Sequence, residues 1–245
     1  MDMKISGSGQ IAAGEYKKVR ISGSGKINGP IRCDKFLASG SARSEGIIEC
    51  REEFNVSGSG KFDGAIKAGC LSVSGAFTCE DNINVSGEVK CSGSMECGGS
   101  LKGGYIEISG TATVAGEVEA ETIEVQGRLN CDGLLNAEEI NIAFVSGMDI
   151  GSIGGGRISI YRGHNGGKRI SRLPLFSSLI PLAAKSKVNV KTAIEGDVIA
   201  IENVSVPRVS GRIVAIGEDC EVDLVQYSEQ IEVSPNAKVG KVEKV

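Results

Sequence analysis

Apolar and polar residues alternate in short runs along most of this chain, and glycines punctuate the runs. In residues 110–133, GTATVAGEVEAETIEVQGRLNCDG, the apolar positions Val114, Val118, Ile123 and Val125 alternate with polar ones, and Gly110, Gly116, Gly127 and Gly133 divide them. Alternation at period two places every second side chain on one buried face of a strand. Glycine between short strands marks a tight corner. The same pattern recurs: a marker glycine, usually after serine, stands at Gly7, Gly23, Gly40, Gly58, Gly75, Gly93, Gly110 and Gly127, at steps of 16, 17, 18, 17, 18, 17 and 17 residues.

A step this regular implies stacked units that each contact only their neighbours. Aligned on the marker glycine, the fourth following residue is Ile11, Ile27, Ser44, Phe62, Cys79, Cys97, Val114 or Cys131. The sixth is mostly glycine, from Gly29 to Gly133, with Asp81 as the exception. The eighth is aliphatic (Ile31, Ile48, Ile66, Ile83, Leu101, Val118, Leu135), and the tenth is mostly small (Cys33, Cys50, Ala68, Val85, Gly103, Ala120, Ala137). Columns of like residues are what the rungs of a parallel β-helix need, because each inward side chain lands on its counterpart one rung below. About 17 residues per rung suits three short strands and three corners and leaves no room for a helical layer. The reading is an all-β, right-handed parallel β-helix.

The array is regular over residues 1–147, although GEYKKV departs from the column residues in the first rung, as end repeats do. Residues 148–187 form an irregular basic and apolar excursion. Its beginning, SIGGGRISIYRG (152–163), still alternates through Ile158 and Ile160 and reads as one more rung with an irregular corner. Pro174 and Pro181 then interrupt any ladder. Over 188–245 the period returns in three columns: Val188, Val204, Val222 and Val239; Val198, Ile213 and Ile231; Ile194, Val209 and Tyr227. One solenoid of about ten to twelve rungs accounts for the chain, and two β-helices joined by the excursion is the alternative.

Composition changes this picture little. With 35 glycines, no tryptophan and 4% aromatics, the interior is read as narrow and aliphatic. The 40% apolar content argues against disorder. MDMKISGSG has no apolar run resembling a secretory signal, and no stretch is long enough to span a membrane, so the expected location is cytoplasmic. The eight cysteines form no CxxC pair, and Cys33, Cys50, Cys79, Cys97 and Cys131 fall in inward columns, where a free thiol behaves as a small hydrophobe. Charge is uneven: from Ile150 to Ile194 there is no acid but eight cations, Arg157, Arg162, Lys168, Arg169, Arg172, Lys185, Lys187 and Lys191.

Catalytic chemistry finds little support. Hexapeptide acyltransferases share the solenoid idea but need a six-residue aliphatic repeat and usually a histidine, whereas the single histidine here, His164, sits among glycines. No nucleophile–base pair assembles around it. Polysaccharide lyases carry charged clusters with aromatic sugar subsites, and the few aromatics here are scattered. GSIGGGR (151–157) lacks the Lys-Ser/Thr of a phosphate loop and reads as a loose corner. RGHNGGKR lacks the interleaved aromatics of a nucleic-acid surface. The expectation is no enzyme, cofactor, metal, nucleic acid or small-molecule substrate.

The units ISGSGKINGPIRC (21–33), VSGSGKFDGAIKA (56–68) and ISGTATVAGEVEAETIEVQG (108–127) resemble those of the bactofilins, polymer-forming bacterial cytoskeletal proteins. The resemblance covers residues 4–143 well and 188–245 loosely. It implies a right-handed β-helix that assembles end to end into filaments without nucleotide, as a scaffold for cell shape and envelope machinery. The chain departs from that family in lacking an apolar N-terminal targeting tail before its first rung, and in its extra C-terminal rungs and basic excursion.

Two surfaces become candidates. An open β-helix end leaves backbone groups and core unpaired, so Ile5 and Ile11 in the first rung and Val239, Val242 and Val245 in the last are the expected end-to-end contacts. In the excursion, LPLFSSLIPLAA presents Leu175, Phe176, Leu179 and Ile180, with Lys168, Arg169 and Arg172 before it and Lys185 and Lys187 after it. That combination suits burial against the solenoid, a partner protein, or peripheral contact with the anionic inner membrane surface. A non-polymerising adaptor is the alternative to a filament.

Overall fold

The computed structural model describes residues 1–163 and 187–245. Every regular element in them is a strand, and all strands pair in parallel within one continuous sheet of 22 strands. The sheet winds into a β-solenoid of about 13 turns spaced near 17 residues. With rungs about 4.8 Å apart it is about 60 Å long. The turns slightly exceed the ten to twelve expected from sequence.

Each rung has three faces. Face A holds the strand before the marker glycine, beginning with Asp2–Ile5, which pairs with residues 18–21. Face B follows the marker glycine, and face C closes the turn. Hydrogen bonding often continues round the corners, so single elements such as Arg128–Phe144 bend over more than one face instead of breaking into three short strands.

The marker glycines have a steric reason. A β-carbon on Gly23, Gly40, Gly58, Gly75, Gly93, Gly110 or Gly127 would lie 1.9–2.1 Å from the carbonyl oxygen of the marker glycine one rung below. That oxygen accepts the amide of the next residue along the ladder, as Gly58 does from Ala76 at 2.9 Å. Gly7, at the bottom of the column, has nothing within 4 Å. Stacking, not turn conformation, demands the glycine.

The core fills by compensation within each rung. On face B the two inward residues pair large with small: Gly25 with Ile27, Gly60 with Phe62, Phe77 with Cys79, Met95 with Cys97, Leu129 with Cys131. Close packing tolerates such swaps when volume is kept. Where Ala42 and Ser44 are both small, Phe36, Phe54 and Phe62 crowd in, with Phe36 stacked on Phe54 at 4.4 Å and Phe62 edge-on to Phe54 at 5.4 Å. The interior is thus less hostile to rings than composition suggested. Buried Ser44 is satisfied locally, since its hydroxyl donates to the Gly46 carbonyl at 3.1 Å.

The boundary drawn at residue 148 falls inside the ladder. Met148–Arg162 is a full rung, paired with the rung before it and with residues 188–190 and 194–201 after it. GSIGGGR lies within this strand and is no loose corner. The ladder is continuous from residues 148–162 to residues 188–201, and Gly163 and Lys187 lie at a single corner between faces A and B.

The C-terminal columns need correcting. Val188 pairs with Val204, but Val222 pairs with Val206. Val198 and Ile213 point outward, and the inward column is Ile199, Val214 and Ile231. Tyr227 aligns with Gly211, and Val209 stacks on Val225.

Candidate assembly interface

The two ends of the solenoid differ. At the N-terminal end, Ile5 is 8% exposed and Ile11 is completely buried. Ile11 is therefore a core residue, stacked on Ile27, and not the surface contact expected from its place in the first rung. The cover comes from the unorthodox first rung. Gly14, at φ +149°, stands opposite Ile31, where later rungs carry Ile48 and Ile66. Tyr16 packs on the core and its hydroxyl donates to the Ala12 carbonyl at 2.8 Å, bridging over Gly14. Met3 also packs on the core beside Ile5. GEYKKV thus closes the end with Tyr16 packed on the core, while Gly14 is required by its positive φ and not by a close neighbour.

At the C-terminal end the core is left uncovered. The last strand, Lys238–Lys244, stacks on face B and face C of the rung before it, and among the described residues no strand follows. Val242 is 46% exposed and Val233 is 42% exposed, while Val239, Ile231 and Ala237 are half-buried against the core. Val245 is 70% exposed. Val239 and Val242 were expected here. Val233 was not among the residues expected here; it lies two positions beyond Ile231 on the same face.

Lys168, Arg169, Arg172, Leu175, Phe176, Leu179 and Ile180, with His164, lie outside the described residues. Among the described residues no helix is long and apolar enough to cross a membrane, and no group of three His, Cys, Asp or Glu side chains could hold a metal ion. A trough on face B near the N-terminal end is lined by Ser8, Gln10, Ser24, Lys26, Ser41 and Arg43. These are hydroxyls, an amide and cations, without a base to activate a hydroxyl.

The cysteines are free, and all are buried except Cys70. Burial pushes the Cys79 thiol up to about 12 and the Cys91, Cys131 and Cys220 thiols up to about 11. They are core atoms with weak hydrogen bonds to carbonyls, such as Cys131 to Gly116 at 3.3 Å.

No protein-family model matches the chain, and no solved structure matches it. Over 237 residues the chain is 44% identical to a Bacillus subtilis (strain 168) protein described as uncharacterized protein YhbE, and the alignment covers 96% of this chain and 94% of that one. Identity at that level over nearly the full length of both means that the chain belongs to the same family as YhbE.

Proposed function

We propose that this protein is a structural element that self-assembles end to end into nucleotide-independent filaments and serves as a cytoplasmic scaffold, without enzymatic activity. The observation that carries the reading is the C-terminal end, where Val233, Val242 and Val245 are exposed beside an unpaired strand edge. Such an edge invites another strand, and covering each half-exposed valine contributes about 1 kcal/mol. The bactofilin-like repeat units support the same reading.

Negative-stain microscopy and analytical sedimentation test it. Filaments or large oligomers are expected at micromolar concentration without nucleotide, and Val242→Asp shortens them. A strictly monomeric chain across concentration and salt overturns it. The closed N-terminal end favours a second reading, in which only the C-terminal ends pair and the product is an adaptor that stops at two copies. A sedimentation mass fixed at two chains selects that reading. Membrane contact through residues 173–182 is a separate proposal, checked by co-sedimentation with anionic vesicles; it fails if Phe176→Glu with Leu179→Glu leaves binding unaltered.

A further inference from the structure

Face A runs the length of the solenoid as a parallel sheet, and its outward side chains are sorted by charge. In the first three rungs they are Asp2 and Lys4, Lys18 and Arg20, and Lys35 and Leu37. The fourth and fifth rungs carry Glu53 and Asn55, then Cys70 and Ser72. The sixth to eighth carry Glu88 and Lys90, Tyr105 and Glu107, and Thr122 and Glu124. One end of the face is cationic, the middle carries the small neutral residues Asn55, Cys70 and Ser72 beside Glu53, and the next stretch is acidic.

Each patch is neutralised only in part within the described chain: Lys35 pairs with Glu53 at 2.9 Å and Glu88 with Lys90 at 2.8 Å. Lys4, Lys18 and Arg20 make no ion pair there, and neither do Glu107 and Glu124. Like charges are neighbours in the ladder: Lys4 beside Arg20, Lys18 beside Lys35, and Glu107 beside Glu124. Such pairs repel unless a counter-charge covers them. The negative field is felt locally, since partial burial first, and then Glu124, Glu107 and Glu88, push the Tyr105 hydroxyl up to about 12. On other faces, as for Lys35 and Glu53 here, cations find acids on adjacent rungs: Arg32 finds Glu49 at 2.7 Å and Lys61 finds Glu80 at 3.0 Å.

We propose that face A binds face A of a second copy of this chain, side by side and antiparallel, over the first eight rungs. A two-fold axis along the strand direction, midway between the fourth and fifth rungs, sets rung one opposite rung eight and rung two opposite rung seven. Arg20 of one copy then faces Glu107 of the other and Lys4 faces Glu124, all four without an ion pair in their own described chain, while Lys35 and Glu88, each already paired within its chain, also lie opposite one another. Each pairing occurs twice, and the small residues Asn55, Cys70 and Ser72 meet at the centre, where Glu53, held by Lys35 of its own chain, lies opposite Cys70 of the other copy. A parallel side-by-side arrangement sets cations on cations and is rejected by the same charges. The contact covers roughly 500 Å² per copy from eight rungs and one strand width, so about 1,000 Å² in total, at the lower edge of specific interfaces. The surface differs from the solenoid ends, and the proposal does not rest on end-to-end assembly.

Cys70 makes the arrangement testable, because it is the one exposed cysteine and it lies next to the axis. Sheets packed about 10 Å apart put the two Cys70 α-carbons about 11 Å apart, within reach of a short bis-maleimide. The experiment uses full-length protein carrying Val242→Asp, so that lateral pairing is scored apart from end contacts. A crosslinked dimer is expected on denaturing gels, lost with Cys70→Ser and weakened by high salt as a charge-based contact should be. Arg20→Glu and Glu107→Arg each reduce the yield about tenfold, and the two together restore it, as a complementary charge pair requires. These outward changes leave the core untouched, and the circular dichroism spectrum of each variant confirms folding. No crosslink up to high micromolar concentration, or a crosslink indifferent to both reversals, overturns the proposal.

Discussion

At Gly75 a β-carbon would sit 1.9 Å from the carbonyl oxygen of Gly58, and at Gly7 it would meet nothing. Both are marker glycines of the same motif, yet only one has a rung beneath it. Gly75→Ala forces two rungs apart and is expected to cost about 1–3 kcal/mol, the range for overpacking, whereas Gly7→Ala stays close to wild type. Thermal melts of the two variants separate stacking from turn preference as the reason for the repeat. The motif was legible in the sequence, but its cause was not, because a glycine in a one-dimensional pattern looks the same whether it relieves φ or makes room for a neighbour. The cysteines also divide at this scale. Cys70 alone is exposed, so a thiol reagent near neutral pH should modify one thiol in the native protein, none in Cys70→Ser, and all of them in denaturant. Burial holds the thiols of Cys79, Cys91, Cys131 and Cys220 protonated up to about 11 or 12, against an ordinary value of 9.0. Their folded pKa is raised, so the stability they contribute is complete below pH 9 and lost as pH rises through 11 to 12. Urea midpoints should fall over that window, and less steeply when Cys91 and Cys131 are replaced by alanine.

The rung is the unit of packing, and its inward residues are chosen jointly. Cys79, Cys97 and Cys131 are small because Phe77, Met95 and Leu129 beside them are large. No single column reveals that, although the columns themselves could be read by eye. Phe54 shows what happens when one member is removed: it stacks on Phe36 and meets Phe62 and Phe77 edge-on, at 5.4 and 6.3 Å. Phe54→Ala opens a void in three successive rungs and is expected to cost about 3–5 kcal/mol, read as a lowered melting temperature. The C-terminal rungs were harder to read for a definable reason. Val198–Ile199 and Ile213–Val214 are adjacent apolar pairs, so either member could face inward; the fold buries Ile199 and Val214, and an extra residue between Tyr227 and Gln230 then brings Ile231 onto the same column. A one-residue shift in a strand exchanges core for surface, as it does for Val198 and Ile213.

Gly163 and Lys187 lie at one corner of the solenoid, and the ladder formed by the residues before and after them is continuous. Met148 pairs with Val188 and Ile150 with Val190, while residues 153–160 pair with 194–201. The Gly163 amide donates to the Phe144 carbonyl at 2.8 Å, and the Val188 amide donates to Asn203 at 3.0 Å, so backbone bonding resumes at once on both sides. At the same corner other rungs manage with little chain: Glu202 and Asn203 suffice between Ile201 and Val204, and residues 143–147 between Ile142 and Met148. Removing residues 164–186 would leave Tyr161, Arg162, Gly163 and Lys187 to turn it, which lies between those two lengths. Loop closure depends only weakly on length in this range, and the 13-turn core keeps every rung it had. The shortened chain is therefore expected to fold, with an unchanged far-ultraviolet circular dichroism spectrum and a melting temperature within a few degrees of the full chain. Its state of assembly then separates two roles for the insertion. A full chain that stays monomeric, beside a shortened chain that forms filaments, makes the insertion a block on the C-terminal end; filaments from both free the insertion for another partner. A shortened chain that fails to fold shows instead that residues 164–186 are needed for the solenoid, and ends the reading of this segment as an insertion at one corner.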